Sequence, residues 1–151
     1  MTEIDETAGM SEAGRHEWEL MVAGEVYQVS HPDIERKRAE AKRLFVEYNK
    51  TDFEDVERRR EIMERLFKSI GEDVFIEPNF RCEVGRNITI GSHAYINFDC
   101  VMLDNAPITL GDYVWIAPMV GLFATNHALD FEERKNGACQ AKPIVIGNGV
   151  W

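Results

Sequence analysis

The sequence has no apolar stretch approaching the ~18 residues that a membrane-spanning helix needs. Its first part, Met1 to Glu19, is rich in Glu, Gly and Ala and lacks the apolar core of a secretory signal. We therefore expect a cytoplasmic protein with no membrane partner. Nucleic acid is disfavoured as a partner too, because 17 basic residues against 27 acidic ones give a net charge of −10.

Cysteine is also scarce, with 3 residues in a chain of 151. Cys82, Cys100 and Cys139 form no CxxC pair and no Cys/His cluster at the spacing of a zinc site. We expect them to be reduced thiols, most of them packed as small apolar groups. The sequence predicts no metal site.

Two segments have the apolar spacing of amphipathic helices. Ser30-His31-Pro32-Asp33 has the form of a capping box with Ser30 as N-cap, and the helix that follows is expected to end at Asn49-Lys50. Thr51-Asp52-Phe53-Glu54 predicts the start of a second helix, with Gly71 in the position just past its end. The charged faces of both helices are expected to be solvated.

Beyond Gly71 the apolar residues recur every six positions. Two series show this period: Ile90, Ile96, Met102 and Leu110, Ile116, Leu122. Small or conformationally permissive residues follow at Gly91, Asn97, Gly111 and Gly147. A six-residue period fits neither an α-helix nor a flat strand. It is typical of a left-handed parallel β-helix, in which the aliphatic side chains point inward and stack from one coil to the next.

These patterns divide the chain into three parts. We expect an acidic flexible tail over residues 1–19, an α-helical cap over residues 20–71 and a mainly β, left-handed β-helix over residues 72–151. Two insertions interrupt the six-residue step, a short one at Asn105-Ala106 and a loop at about residues 124–142. Loops on rigid repeats commonly carry function, so the longer insertion is the first place to look for a site.

Short motifs occur in order along residues 20–151. They are Ala23-Gly24-Glu25-Val26-Tyr27, Phe80-Arg81-Cys82, Asn97-Phe98-Asp99-Cys100, Ala117-Pro118, His127-x-Leu129-Asp130 and Lys142-Pro143-Ile144. Together they resemble the hexapeptide-repeat sugar O-acetyltransferases, such as the maltose and galactoside acetyltransferases. The resemblance implies transfer of acetyl from acetyl-CoA to a sugar hydroxyl, in a homotrimer whose active sites lie between neighbouring subunits.

The resemblance also implies roles for individual residues. His127, in the inserted loop, matches the catalytic base, although Asn126 and Ala128 replace the usual Thr and Pro beside it. Residues matching the acceptor site are Asn97, Glu83, Asp104, Asn105, Tyr95 and Trp151, and Ala117 matches a position beside the cofactor arm. For Asn97, Asp104 and Asn105 ordinary turn chemistry is the alternative explanation.

Other interpretations remain open. Proteins of this type continue with further hexads after Val150-Trp151, so we expect the last coils, with part of the oxyanion and CoA sites, to be missing. A non-catalytic trimeric β-helix module is one alternative, and an acetyltransferase acting on an antibiotic or another non-sugar acceptor is a second. A metal-dependent lyase of the γ-carbonic anhydrase type is disfavoured, because the coil region offers only His93 and His127 as histidine ligands.

Overall fold

The computed structural model describes residues 5–151, and residues 1–4 lie outside it. The helices of this part are α1 (Glu12–Ala23), α2 (Pro32–Lys50), α3 (Val56–Leu66) and α4 (Phe131–Lys135). Its strands are β1 (Val26–Gln28), β2 (Ser69–Ile70), β3 (Phe75–Ile76), β4 (Arg81–Cys82), β5 (Ile88–Ile90), β6 (Tyr95–Ile96), β7 (Val101–Leu103), β8 (Ile108–Leu110), β9 (Trp115–Ile116), β10 (Gly121–Phe123), β11 (Thr125–His127), β12 (Ala138–Ala141) and β13 (Ile144–Ile146).

Three parallel sheets form the sides of a coil. Their strand orders are β2-β5-β8-β13, β3-β6-β9 and β4-β7-β10. The register places the two predicted series opposite each other: Ile90 pairs with Leu110, Ile96 with Ile116 and Met102 with Leu122. These side chains are buried or half-buried along the axis of the coil. The prediction that a six-residue period builds stacked parallel coils is confirmed.

The coil begins earlier than the sequence suggests. Helix α3 ends at Leu66, with Phe67 as its C-cap, and Ile70 already pairs with Ile90 in the first coil. Gly71 is therefore the first corner of the coil rather than the residue that terminates α3. A Cβ atom at Gly71 would lie 2.4 Å from the backbone nitrogen of Ser92 in the next coil, so the coil contact explains this glycine.

The corner glycines Gly91 and Gly111 are needed for space, whereas a Cβ atom at Gly147 would meet nothing within 4 Å. A Cβ atom at Gly91 would lie 2.5 Å from the carbonyl carbon of Gly111, a separation that would force the backbones apart. The left-handed backbone conformation falls two residues later, with φ of 57° at His93 and 56° at Tyr113. On the next corner it falls at Asp99, with φ of 59°, and not at Asn97 as expected.

Two helix starts differ from the prediction. His31, not Ser30, caps α2: its Nδ1 accepts a hydrogen bond from the Asp33 backbone N–H at 3.2 Å. Asp55, not Thr51, caps α3 by accepting from the Arg58 backbone N–H at 3.1 Å. Thr51 instead donates its hydroxyl to the Glu47 carbonyl at 2.9 Å and closes the end of α2. Each start has several capping side chains nearby, and local sequence does not distinguish between them.

The segment expected to be a flexible tail contains helix α1. Ser11 caps this helix, and the Asp33 carboxylate accepts from the Ser11 hydroxyl at 2.7 Å, which joins α1 to α2. Trp18 and Met21 are buried on the inner face of α1. The expectation is therefore wrong from Glu12 onward. With few apolar residues, α1 has a weak helical pattern and depends on docking for its order. Residues 1–4 of the expected tail lie outside the described residues.

A buried arginine fastens the helical cap to the first coil. Arg59 in α3 is 4% exposed, and its Nη2 donates to the Tyr48 hydroxyl and to the Ile76 carbonyl, both at 2.6 Å. The Tyr48 hydroxyl also donates to the Ile76 carbonyl at 2.8 Å. Burial raises the pKa of Tyr48 to about 12, so the phenol stays protonated and keeps donating.

Candidate active site

The insertion at residues 124–142 is ordered rather than a simple loop. Strand β12 pairs antiparallel with β11 on one side and with β1 of the cap on the other. Helix α4 connects β11 to β12. The three-stranded sheet β1-β12-β11 therefore attaches the inserted segment to the N-terminal part of the chain, and His127 lies at the end of its outer strand.

His127 is exposed and faces a pocket of 490 Å³. The pocket is lined by side chains from the cap strand and the insertion, among them Val26, Leu129, Glu133 and Gln140. A pocket of this volume is in the range that accommodates small molecules. An exposed imidazole at its edge can accept a proton from a group bound there.

Side chains of α4 and its N-cap hold the residues that follow His127 in place. Arg134 donates through Nη1 to the carbonyls of Ala128 and Leu129, both at 2.9 Å. Asp130 caps α4 by accepting from the Glu133 backbone N–H at 3.0 Å. Ala128 replaces the proline expected at this position, which would have restrained the backbone. The contacts from α4 restrain the chain after His127 in its place.

Asp104 lies inside the molecule, behind the insertion. It is fully buried, and its Oδ1 accepts from the backbone N–H groups of Glu83 and Val84, both at 3.0 Å. Its Oδ2 accepts from the Asn87 backbone N–H at 3.2 Å. Burial raises the pKa of Asp104 to about 6, although the hydrogen bonds from backbone amides oppose the rise. In this structure Asp104 organises a coil corner, and its contact with an acceptor stays a prediction.

Asn105 is buried next to Asp104 and points toward the cap. It is 2% exposed, and its Nδ2 donates to the Tyr27 hydroxyl at 2.9 Å. Its Oδ1 has no hydrogen-bond partner among residues 5–151. The two-residue insertion at Asn105-Ala106 thus places a polar side chain against the cap strand.

Glu83 is paired with a residue that sequence reasoning missed. Arg38 of α2 is 7% exposed and forms an ion pair with Glu83 through Nε. Its Nη1 donates to the Val29 carbonyl and to Glu35, while Nη2 has no partner within the described residues. The sequence predicts solvated charges on this helix, and no local pattern distinguishes the one arginine that turns inward.

The remaining candidate residues lie at a second corner, at the ends of β6 and β9. Tyr95 donates its hydroxyl to Glu77 at 2.8 Å, and the Asn97 side chain accepts from the Phe98 backbone N–H at 2.8 Å. Ala117 and Trp151 are exposed. Their positions are linked by the coil, because Trp115 pairs with Tyr95 and donates its backbone N–H to the Val150 carbonyl at 2.9 Å, one residue before Trp151.

The candidate residues therefore form two groups. Glu83, Asp104, Asn105 and His127 follow strands of the sheet β4-β7-β10, whereas the second group lies at the other end of those strands. No hydrogen bond or ion pair within residues 5–151 joins the two groups. The order of elements places His127 and Asn97 at opposite ends of this sheet.

The described part of the chain offers no membrane span and no metal centre. None of its helices has the length and apolarity that crossing a membrane requires. Residues 5–151 contain no group of three His, Cys, Asp or Glu side chains placed to hold a metal ion. The three cysteines are free and buried, as the sequence predicts.

Comparison with known proteins assigns the chain to a family. The maltose acetyltransferase hexapeptide capping motif matches residues 20–71. Nodulation protein L of Rhizobium meliloti (strain 1021) is 36% identical over 137 residues, which cover 91% of this chain and 75% of that protein. The chain belongs to the hexapeptide-repeat sugar O-acetyltransferases.

Other members of this family show the same relation. The galactoside O-acetyltransferase of Escherichia coli (strain K12) is 37% identical over 133 residues, covering 88% of this chain and 66% of that protein. A crystal structure of a hexapeptide-repeat acetyltransferase from Vibrio cholerae O1 biovar eltor, in complex with acetyl coenzyme A, is 36% identical with a TM-score of 0.76. That match covers 88% of this chain and 78% of the Vibrio chain. The family resemblance drawn from the sequence motifs is confirmed.

Proposed function

We propose that this chain transfers acetyl from acetyl-CoA to a hydroxyl of a sugar such as maltose, glucose or a galactoside, with His127 as general base. The observation that carries the proposal is that His127 is exposed, lies on a strand paired with β12, and lines a pocket of 490 Å³. Membership of a sugar acetyltransferase family and the relative with acetyl coenzyme A bound support the reaction and its donor.

The proposed chemistry needs one base and no acyl-enzyme. A sugar hydroxyl is a weak nucleophile at neutral pH, so His127 removes its proton as the oxygen attacks the thioester carbonyl. The C–S bond then breaks, the acetyl ester of the sugar forms, and the thiolate of CoA takes up the proton. Since the acceptor hydroxyl is itself the nucleophile, the three buried cysteines are not required.

We propose a homotrimer in which the two groups of candidate residues meet across a subunit interface. Within one chain His127 and Asn97 lie at opposite ends of a sheet, so a neighbouring copy is the simplest way to complete the site. Asn97 and Glu83 would then offer hydrogen bonds to the sugar, with Tyr95 and Trp151 against its ring. Aromatic faces suit the apolar faces of sugar rings. We further propose that the coil winds left-handed, as its six-residue period indicates.

The cofactor arm is proposed to run past Ala117. This residue is exposed, directly follows β9 and lacks a side chain beyond Cβ, so an extended chain can lie against the backbone there. A polyanionic donor on a chain with a net charge of −10 needs local basic groups, and the whole-molecule field does not attract it.

Release of CoA thiol tests the proposal. The protein is assayed with acetyl-CoA and a panel of maltose, glucose and galactosides, alongside His127→Ala and the control His93→Ala. His93 stacks on Tyr113 at 4.6 Å, away from the pocket, and its loss should leave turnover near wild type. His127→Ala should lower turnover by ~10²–10⁴ with little change in unfolding.

Three outcomes contradict parts of the proposal. Full activity in a folded His127→Ala variant would remove the assignment of the base. Activity of the wild-type protein on antibiotics but on none of the sugars would replace the acceptor class. Absence of any acetyl transfer would favour the non-catalytic β-helix module instead.

A further inference from the structure

A largely buried polar cluster lies on the face of the sheet β1-β12-β11 to which His127 also projects. It consists of Tyr27, Asn105, Thr125 and Cys139, of which Tyr27 and Cys139 are 1% exposed. The Thr125 hydroxyl lies 3.2 Å from the Cys139 sulfur, and the Cys139 thiol donates to the Asn126 carbonyl at 3.1 Å. Asn105 donates to the Tyr27 hydroxyl at 2.9 Å. The cluster joins the cap, a coil corner and the inserted hairpin.

The sheet register aligns this cluster with the proposed base. Tyr27 pairs with Cys139, and Cys139 pairs with His127, so the three residues form one row across β1, β12 and β11. Residues directly opposite each other in antiparallel strands project to the same face of the sheet. His127 is thus about two strand spacings, roughly 10 Å, from Tyr27. Tyr27 is buried and does not reach the pocket, so any influence on catalysis is through position.

The Tyr27 hydroxyl has a defined part in the cluster. Burial raises the pKa of Tyr27 well above its ordinary value, with the neighbouring Cys139 adding to the rise and Thr125 opposing it. The phenol is therefore neutral at physiological pH and can donate its proton while it accepts from Asn105. The ring of Tyr27 lies directly opposite Cys139 in the sheet, and Cys139 in turn contacts Thr125 and the Asn126 carbonyl on β11.

We infer that Tyr27 is a positioning residue for His127: Asn105 holds its hydroxyl, and its ring lies opposite Cys139, which contacts the strand that carries the base. This inference rests on the proposed role of His127. Removing the hydroxyl leaves the Asn105 amide without its acceptor and lets the ring shift against Cys139, whose contacts with Thr125 and Asn126 order β11. Strand β11 is short and has β12 as its only partner strand within residues 5–151, so it depends on such contacts for its order.

Tyr27→Phe tests the inference, with Tyr48→Phe as the matched control. Tyr48 is equally buried and its hydroxyl is also hydrogen-bonded, but it lies between the cap helices and the first coil. We expect Tyr27→Phe to lower kcat by roughly tenfold to a hundredfold, with KM for acetyl-CoA within about twofold of wild type. Backbone amide exchange at residues 125–127 should accelerate about tenfold. Tyr48→Phe should leave both quantities at wild-type values.

The exchange measurement separates this inference from the proposed function. If His127→Ala keeps full activity, the catalytic role falls, while faster exchange at residues 125–127 in Tyr27→Phe still establishes that Tyr27 orders the strand. Wild-type kcat and exchange in Tyr27→Phe would overturn the inference. Should Tyr27→Phe fail to fold, Thr125→Val removes the next hydroxyl of the same cluster and is expected to give the same two effects. Wild-type behaviour of Thr125→Val would then overturn it.

Discussion

Replacing Asp104 by asparagine should change how stability depends on pH. Asp104 is fully buried and accepts hydrogen bonds from three backbone amides, yet burial raises its pKa to about 6. In the unfolded chain the carboxyl has its ordinary pKa of 3.8. Between these two values the folded protein holds a proton that the unfolded chain has lost. Stability from this group is therefore present below pH 3.8 and is lost as pH rises through 6.

The size of the effect follows from the two pKa values. A rise from 3.8 to about 6 corresponds to about 3 kcal/mol, of which about 2 to 3 kcal/mol develops between pH 4 and pH 7. In Asp104→Asn the new side chain is neutral throughout and keeps one acceptor for the Glu83 and Val84 amides, but it turns an amide toward the Asn87 N–H. The stability of the wild type relative to Asp104→Asn should therefore fall by about 2 to 3 kcal/mol from pH 4 to pH 7.

Urea unfolding followed by tryptophan fluorescence measures this difference. The urea titrations of both proteins are carried out at pH 4 and at pH 7. These values avoid the isoelectric point of 4.9, at which the low net charge favours precipitation. Protein concentration is held constant, because self-association would add to apparent stability. Other titrating groups are common to both proteins and cancel in the subtraction. A difference that is constant to about 0.5 kcal/mol, or that grows with pH, would show that the backbone amides outweigh burial and would refute the reasoning.

Two further predictions concern the cap and the assembly. Arg59→Met should lower the free energy of unfolding by about 2 to 4 kcal/mol, because the Tyr48 hydroxyl and the Ile76 carbonyl lose a buried charged donor. Urea unfolding tests this, with Arg58→Met as control because the Arg58 side chain is 41% exposed, and equal stability of the two variants would contradict it. Sedimentation should give three times the chain mass of 17.3 kDa. A monomer at micromolar concentration would argue against a site shared between subunits.

The coil could be predicted because its sequence pattern, an aliphatic residue at every sixth position, is local and repeated. Each inward aliphatic is followed six residues later by another, and Ile90, Ile96 and Met102 need no information from elsewhere in the chain. The corner glycines can be recognised in the sequence, but the sequence does not show why a side chain is excluded at these positions. The close approach of Gly91 to Gly111 depends on the stacking distance between coils, which appears only in three dimensions.

Features that depend on distant parts of the chain could not be predicted in this way. The pairing of β1 with β12 leaves no pattern in either segment, so the sequence indicates only a loop at the insertion. Arg38 and Arg59 have the same local surroundings as solvated arginines on their helices, and only docking against the coil buries them. An aspartate at position 104 is compatible both with a turn at a coil corner and with binding of an acceptor. Only the structure shows that it accepts hydrogen bonds from backbone amides of the corner.

The sheet β1-β12-β11 imposes an order on folding. Neighbouring coils close short loops, whereas Val26 meets Gln140 only after most of the 151-residue chain has been made. Contacts between residues so far apart in sequence form late, because the chain loses the entropy of loop closure before the contact contributes any stabilisation. During synthesis β1 emerges early and waits with an open edge while the coils assemble. The molecule thus acquires its scaffold first and its His127 strand last, so a partly folded chain lacks two of the walls of the pocket, which Val26 and the inserted segment form together.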